Sequence, residues 1–327
     1  MTAPQAQAIH VVGVDLGGTK TAAGVVSASG EVLFQATIPT LNRAGGEAVL
    51  DATAALVSGL VERAADAGLT VSGVGVGSAG VIDASSGNVV SATDAISGWA
   101  GTGLVAGLSS RLSFPAQAVR AVNDVHAHAL GEAWLGAAAG TSSSLMVAFG
   151  TGVGGSFVLG GSPVLGHRFV GGHVGHFASP HAAFDGCPLP CVCGSAGHVE
   201  AVASGPAIHE SYLRFGGSAS LAADTRQVFA LASGNHDAGA AASQAAARAV
   251  ELGAVAAGQA VGGLINILDP EIVVISGGLA DAGGLWWKPM ETALRQELLA
   301  PLAAVPVVRA ALGNSAAIAG AAKLVLS

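Results

Sequence analysis

Val11 to Val26 reads VVGVDLGGTKTAAGVV: a β-branched run, an aspartate, a glycine turn and a second apolar run. Such runs on either side of a glycine-rich break predict two strands joined by a hairpin. The turn Asp15-Leu16-Gly17-Gly18-Thr19-Lys20 offers backbone N–H groups unhindered by side chains, as a close approach to phosphate oxygens requires. A plain glycine hairpin reads the same way. Asp15, at the end of the strand, can hold Mg2+ through water, because that ion takes one or two carboxylates together with phosphate oxygens.

Outward from this hairpin, the patterning predicts a third strand at Glu31–Ile38, a helix at Glu47–Ala67, and strands at Val71–Gly77 and Val119–Val122. That alternation predicts a layered α/β domain. Leu145–Leu159, LMVAFGTGVGGSFVL, repeats the strand, glycine turn, strand plan, which predicts two similar halves. Its turn, Gly150 to Gly155 with Thr151 and Gly152, is a second candidate phosphate loop. Two such loops facing each other can clamp a triphosphate. A third turn, Ser276-Gly277-Gly278-Leu279, follows a predicted strand at Glu271–Ser276 and precedes a helix, where it can approach an adenosine or serve packing alone. Neither a Walker loop nor a dinucleotide fingerprint is present. Ala201–Leu268 reads as mostly helical up to the breaker Asp269-Pro270, and Ala316–Leu326 as a last helix.

The 327 residues suit two domains. Hydrophobic residues make up 51% and charged residues 10%, so disorder is excluded. A net charge of −8 with only 13 basic residues argues against a nucleic-acid partner, which needs clustered Lys and Arg. The Ala-rich stretch Ala238–Leu268 is interrupted by Gln244, Arg248, Glu251 and Gln259, so it reads as a packed helix and no membrane partner is expected. The first residues lack a signal-peptide plan, and all three cysteines fall within seven residues. Both features suit the cytoplasm.

Two further constellations carry chemistry. Asn123-Asp124 follows the Val119–Val122 strand and precedes a helix expected to start near His126. It reads either as a helix N-cap or as a general base that takes a hydroxyl proton during phosphoryl transfer. His176, Cys191, Cys193 and His198 form a donor set for a closed, structural tetrahedral zinc site. Glu200 stands two residues beyond the last of these.

Together these segments resemble the ROK family of sugar kinases and related regulators. VGVDLGGTKTAAGVV resembles its first phosphate loop, NDVHAHALGE its catalytic segment, FGTGVGG its second phosphate loop, and GHVGH with CVCGSAGHVEAVASG its zinc-and-sugar segment. The resemblance implies an actin-like ATPase fold of the ribonuclease H-like class, with two α/β domains flanking an active-site cleft. The expected division is an N-terminal domain over residues 1–121, completed by a C-terminal helix at about 312–327, and a second domain over 122–311 carrying the zinc loop.

It further implies ATP, Mg2+ and structural zinc as cofactors, a sugar substrate, and a homodimer. Asp15, Gly17, Gly18, Thr19, Lys20, Thr151, Gly152, Gly277 and Gly278 are then the nucleotide residues. Asp124 is the catalytic base, and Gly80, Thr93, Asn123, Asp124, His173, His176 and Glu200 bind sugar.

Three departures from the family pattern matter. His198 stands where a third cysteine is usual, and imidazole can replace thiolate on zinc. The loop from His176 to Cys191 is longer than usual, leaving Cys187 as a competing ligand. His173 replaces a common glutamate and Thr93 a usual asparagine; both favour an N-acetylhexosamine, N-acetylmannosamine above others. The expected reaction is ATP-dependent phosphorylation at the 6-hydroxyl. Glucokinase and N-acetylglucosamine kinase are the alternatives, and an inactive sugar sensor is the competing class. Intact Asp15 and Asp124 argue against a sensor. Only about ten residues precede the first loop, which sets aside regulators with an N-terminal helix-turn-helix.

Overall fold

Both glycine hairpins form, and each opens a five-stranded sheet. The computed structural model describes residues 9–234 and 239–326. Along the chain come β1 (His10–Leu16), β2 (Lys20–Ser27), β3 (Val32–Pro39), α1 (Gly46–Asp66), β4 (Val71–Ser78), β5 (Val81–Asp83), β6 (Asn88–Ser91), α2 (Leu104–Leu112), β7 (Val119–Asn123) and α3 (Asp124–Leu135). β8 (Ser143–Phe149), β9 (Val153–Leu159) and β10 (Ser162–Pro163) follow, then a small hairpin of β11 (Ala183–Phe184) and β12 (Cys187–Pro188). The remainder is α4 (Glu200–Ala203), α5 (Gly205–Arg214), α6 (Thr225–Ala232), α7 (Ala240–Leu268), β13 (Ile272–Ser276), α8 (Gly284–Glu297), β14 (Val307–Arg309) and α9 (Ala316–Leu326).

The first sheet has the order β3-β2-β1-β4-β7 and the second β10-β9-β8-β13-β14. In the first, β1–β2 and β2–β3 are antiparallel while β1–β4 and β4–β7 are parallel. In the second, β8–β13 and β13–β14 are parallel. The same order in both sheets is the repeat legible in the two glycine hairpins.

By contacts the chain divides into one unit of Met1–Ser142, Phe157–Gly171 and Ala311–Ser327 and another of Ser143–Ser156 and Gly172–Ala310. The sequence reading instead puts residues 122–142 and 157–171 in the second domain. They lie in the first unit because α3 packs on α9 and β4, and β10 packs on α3. Any side chain at Gly131 on α3 would run into the Ala316 carbonyl, and any at Gly320 on α9 into that of Ala127.

Within the first unit the sheet is covered on both faces. Val12, Val14 and Leu16 of β1 face a core with Val57 and Leu60 of α1, Trp99, and Leu104 and Leu108 of α2. Val11 and Val26 meet Ile318 and Ala322 of α9 on the other side. There Gly13 and Gly75 let the α9 backbone rest directly on the sheet, where a Cβ would collide with the carbonyls of Ile318 and Ala321. Residues buried on both faces produce the near-continuous apolar runs of these strands.

In the second unit α7 is long and apolar enough to cross a membrane by length and composition, and half of that stretch is buried. It packs on α5, α6 and α8. At Gly262 an added Cβ would sit 2.6 Å from that of Glu297 on α8, so the two helices meet closely. α7 is therefore a core helix of this unit, as expected from its polar interruptions, although Ala238 itself lies outside the described residues.

Candidate active site

In the first unit, parallel pairing sets Asp15 of β1 against Gly77 of β4, and Ser78 against Asn123 of β7. This brings the carboxyl ends of three strands side by side. α3 begins at Asp124, two residues before the expected start near His126. The reason is a double cap: the Val125 N–H donates to Asn123 Oδ1 at 2.9 Å and to Asp124 Oδ1 at 2.8 Å. Asn123 Nδ2 donates to the carbonyl of Gly80 at 2.9 Å. Gly80 has φ +96°, in the region that favours glycine. Thr93 is exposed beyond β6.

The N-cap and general-base readings of Asn123-Asp124 are thus compatible, since Asn123 Oδ1 itself accepts the Val125 N–H and the cap does not rest on the Asp124 carboxylate alone. Burial pushes the Asp124 carboxyl up to about 6; the negative charge of Asp15 adds to this, and the Val125 and Asn123 hydrogen bonds oppose it. Burial also raises Asp15, against the pull of Lys20. A carboxylate whose proton affinity is raised by the charge of a second one beside it is a place where a divalent cation is favoured.

The first glycine loop is closed by Gly17 N–H on the Lys20 carbonyl at 3.0 Å. Thr40 braces it from just beyond the end of β3, its hydroxyl donating to the Gly17 carbonyl at 2.8 Å. Neither Gly17 nor Gly18 has a positive φ. What they provide is room: a Cβ on Gly18 would lie 3.1 Å from that of Ala95. Thr19 and Lys20 are exposed at the tip.

In the second unit Gly150 N–H closes the other loop on the Gly152 carbonyl at 2.9 Å. Glu200, only 9% exposed, accepts the Val153 N–H at 2.7 Å. A Cβ on Gly152 would approach that same carboxylate oxygen to 2.7 Å, so glycine gives Glu200 access to the loop. Gly277, at φ +85°, turns the chain against Phe149, where a side chain would strike the backbone. Gly277-Gly278 does not lead straight into a helix as expected; α8 starts at Gly284 after a further turn closed by Ala280 N–H on the Gly277 carbonyl.

A cavity of about 580 Å³ joins the second loop to this turn, lined by Gly150, Thr151, Gly278, Leu279, Arg226 and Phe229 among others. Gly205, Asp224 and Thr225 also line it and are tied together, the Thr225 hydroxyl donating to the Gly205 carbonyl at 2.6 Å. Sequence reading missed the α5 and α6 residues of this cavity. The only local signal was the capping pattern Asp224-Thr225, with Asp224 accepting the Gln227 N–H at 2.9 Å.

His173 precedes a single helical turn ending at His176, and the two rings lie 6.2 Å apart. His176, Cys191, Cys193 and His198 place their donor atoms within 4.8 Å of one another. His176 Nδ1 is 3.5 Å from Cys191 Sγ, and His198 Nδ1 is 3.3 Å from Cys193 Sγ. An ion with ligands at about 2.0–2.3 Å in a tetrahedron separates neighbouring donors by about 3.3–3.8 Å, a spacing these two pairs have, and two thiols with two imidazoles are a donor set zinc accepts. Cys187 is exposed in the β11–β12 hairpin and outside this cluster.

The ROK family model matches residues 11–327. The chain is 32% identical to the glucokinase of Thermotoga maritima over 97% of each protein. It is 31% identical to an N-acetyl-D-glucosamine kinase of Escherichia coli, over 96% of this chain and 99% of that one. Among solved structures, a ROK family glucokinase from Streptomyces griseus in complex with glucose and AMPPNP superposes with a TM-score of 0.76 at 30% identity, over 96% of this chain and 98% of that one. With two sheets of matching order and a family match along nearly its whole length, the chain belongs to the ROK family and has the actin-like fold of its sugar kinases.

Proposed function

We propose that this ATP-dependent sugar kinase transfers the γ-phosphoryl group of ATP to the 6-hydroxyl of a hexose or N-acetylhexosamine, with Asp124 as general base. The observation that carries this reading is the Asp124 carboxyl, held up to about 6 at the first turn of α3. Such a group is mostly ionised at neutral pH yet basic enough to accept a hydroxyl proton as the oxygen attacks phosphorus. Its Oδ1 is engaged by the Val125 N–H, and the same carboxyl would take the sugar hydroxyl proton. Asn123, Gly80, Thr93, His173, His176 and Glu200 complete the proposed sugar contacts.

ATP is assigned to the two glycine loops, through Gly17, Gly18, Thr19, Lys20, Thr151 and Gly152, and to the turn at Gly277 and Gly278. The cavity that joins Thr151 to Gly278 supports the nucleotide part of this assignment, as does the nucleotide analogue in the S. griseus relative. Asp15 would hold Mg2+ through water. The ion supplies neutralisation of phosphate charge. His176, Cys191, Cys193 and His198 would hold a structural zinc that braces the loop carrying His173 and leading to Glu200. The proposal includes a cytoplasmic homodimer.

The relatives support both a glucose and an N-acetylglucosamine acceptor. By its family resemblance His173 favours an N-acetylhexosamine, N-acetylmannosamine above others; an imidazole offers one donor and one acceptor where a carboxylate accepts twice, so the two side chains suit different hydroxyl patterns. A coupled assay of kcat/KM for glucose, N-acetylglucosamine and N-acetylmannosamine tests this in the parent and in His173→Glu. The substitution should move relative kcat/KM towards glucose by about 1–3 kcal/mol. Identical profiles would remove His173 from sugar selection, and no turnover of any of the three would overturn the kinase reading.

A further inference from the structure

A second cavity lies in the second unit, lined by no residue of either glycine loop, and nothing in the proposed reaction uses it. It measures about 330 Å³ and is bounded by the loop between His176 and Cys191, by the end of α5 and by the middle of α7. Two of the chain's ten arginines, Arg214 and Arg248, line it. Arg248 stacks on the ring of Phe215 at 4.1 Å, which fixes the plane of its guanidinium. Arg214 reaches Glu210 only at 3.9 Å, and its Nη1 is buried with no hydrogen-bond partner. A buried N–H of a charged group left unpaired is costly and calls for an explanation, of which a bound ion or ligand is one. Among the lining residues the one carboxylate is Asp185, exposed in the hairpin turn.

We propose that this cavity binds a phosphate monoester through Arg214 and Arg248. Guanidinium forks present paired N–H donors that match the terminal oxygens of phosphate. Two of them on neighbouring helices can share the three oxygens of one group. The volume falls within the range of about 300–1,000 Å³ usual for small-molecule sites, so there is space for an organic group on the ester. Phe184, Leu189 and Leu252 supply apolar walls for it. In a sugar kinase, the phosphate monoester made at every turnover is the sugar phosphate. That choice of organic group rests on the kinase reading; the phosphate site itself does not.

The test is to follow the side-chain Nε–H signals of Arg214 and Arg248 by NMR while adding, separately, orthophosphate, glucose 6-phosphate or N-acetylglucosamine 6-phosphate to the full chain. Both signals should move saturably. Arg248→Gln, at an exposed residue whose loss leaves the fold intact, should weaken binding by about tenfold or more, and Arg214→Gln should abolish the response of Arg248. Tighter binding of a sugar phosphate than of orthophosphate would assign the ester, and equal affinity would assign free phosphate, the site standing in either case. Unmoved arginine signals, or unchanged affinity in a folded Arg248→Gln protein, would overturn the proposal. Binding is read without turnover, so its failure is separable from failure of the kinase reading.

Discussion

Glu200 accepts the amide of Val153 at 2.7 Å, tying the first residue of α4 to the start of β9 across 47 residues of chain. The resemblance assigns Glu200 to the sugar. Its hydrogen bond is to the second glycine loop, so the carboxylate proposed for the sugar also touches the segment proposed for ATP. Glu200→Ala should therefore raise KM for ATP as well as for the sugar and lower stability by about 1–3 kcal/mol through the unpaired amide. Steady-state kinetics with each substrate varied in turn decide this; a change confined to the sugar KM would contradict the loop role.

Asp124→Asn should lower turnover by about 10²–10⁴-fold, the usual scale for loss of a general base. The same change should stabilise the free protein near neutral pH. The folded Asp124 titrates at about 6, above its ordinary 3.8, so the folded state is the better proton binder and loses stability as pH rises through that interval. Asparagine carries no such charge. Urea unfolding at pH 8 should show a gain of about 1–3 kcal/mol that vanishes at pH 4, and a gain independent of pH would point to another cause.

Asp15 contributes part of that upward shift. In Mg2+-free protein, Asp15→Asn should move the Asp124 titration to lower pH, because removing a negative neighbour eases ionisation. Carboxyl carbon NMR of the two proteins reads the midpoint directly. An unmoved midpoint would leave burial as the sole cause.

Protein purified without chelator should carry about one zinc per chain, with Cys191→Ser losing it and Cys187→Ser keeping it. Metal analysis of the three proteins, with thermal melts before and after chelation, separates the donors. Retention of zinc in Cys191→Ser and its loss in Cys187→Ser would reverse the assignment. Chelation should also lower the melting temperature, since binding by a loop of few apolar residues contributes to its folding.

Gly277→Ala should be among the more damaging single-methyl additions. The position has φ +85° and its Cβ would meet the Phe149 backbone, so left-handed strain of about 1–2 kcal/mol is joined by a steric clash that rigid backbone cannot relieve. Gly278→Ala, with nothing within 4 Å of an added Cβ, is the control. Equal melting temperatures for the two would refute the packing argument.

Local chemistry accounts for what could be read from the chain alone. A hairpin's glycines, the cap Asn123-Asp124, and the strand and helix periods all act between near neighbours, so their signals lie within a few residues of one another. α9 begins and ends where the pattern puts it, at Ala316 and Leu326. The four metal donors were legible for the same reason, being held within 23 residues of chain from His176 to His198. Where neighbours in space are far apart in sequence, no such signal exists. The glycines Gly13 and Gly75 read as weak strand residues until α9 is seen lying on them. Glu200 reads as a lone acid until Val153 reaches it, and Arg214 and Arg248 are two charges on separate helices until one cavity joins them. The sequence by itself determined the elements, the repeat and the candidate chemistry; packing decided which carboxylate braces a loop and which guanidinium nitrogen is left without a hydrogen bond, because those depend on distances that only the folded chain creates.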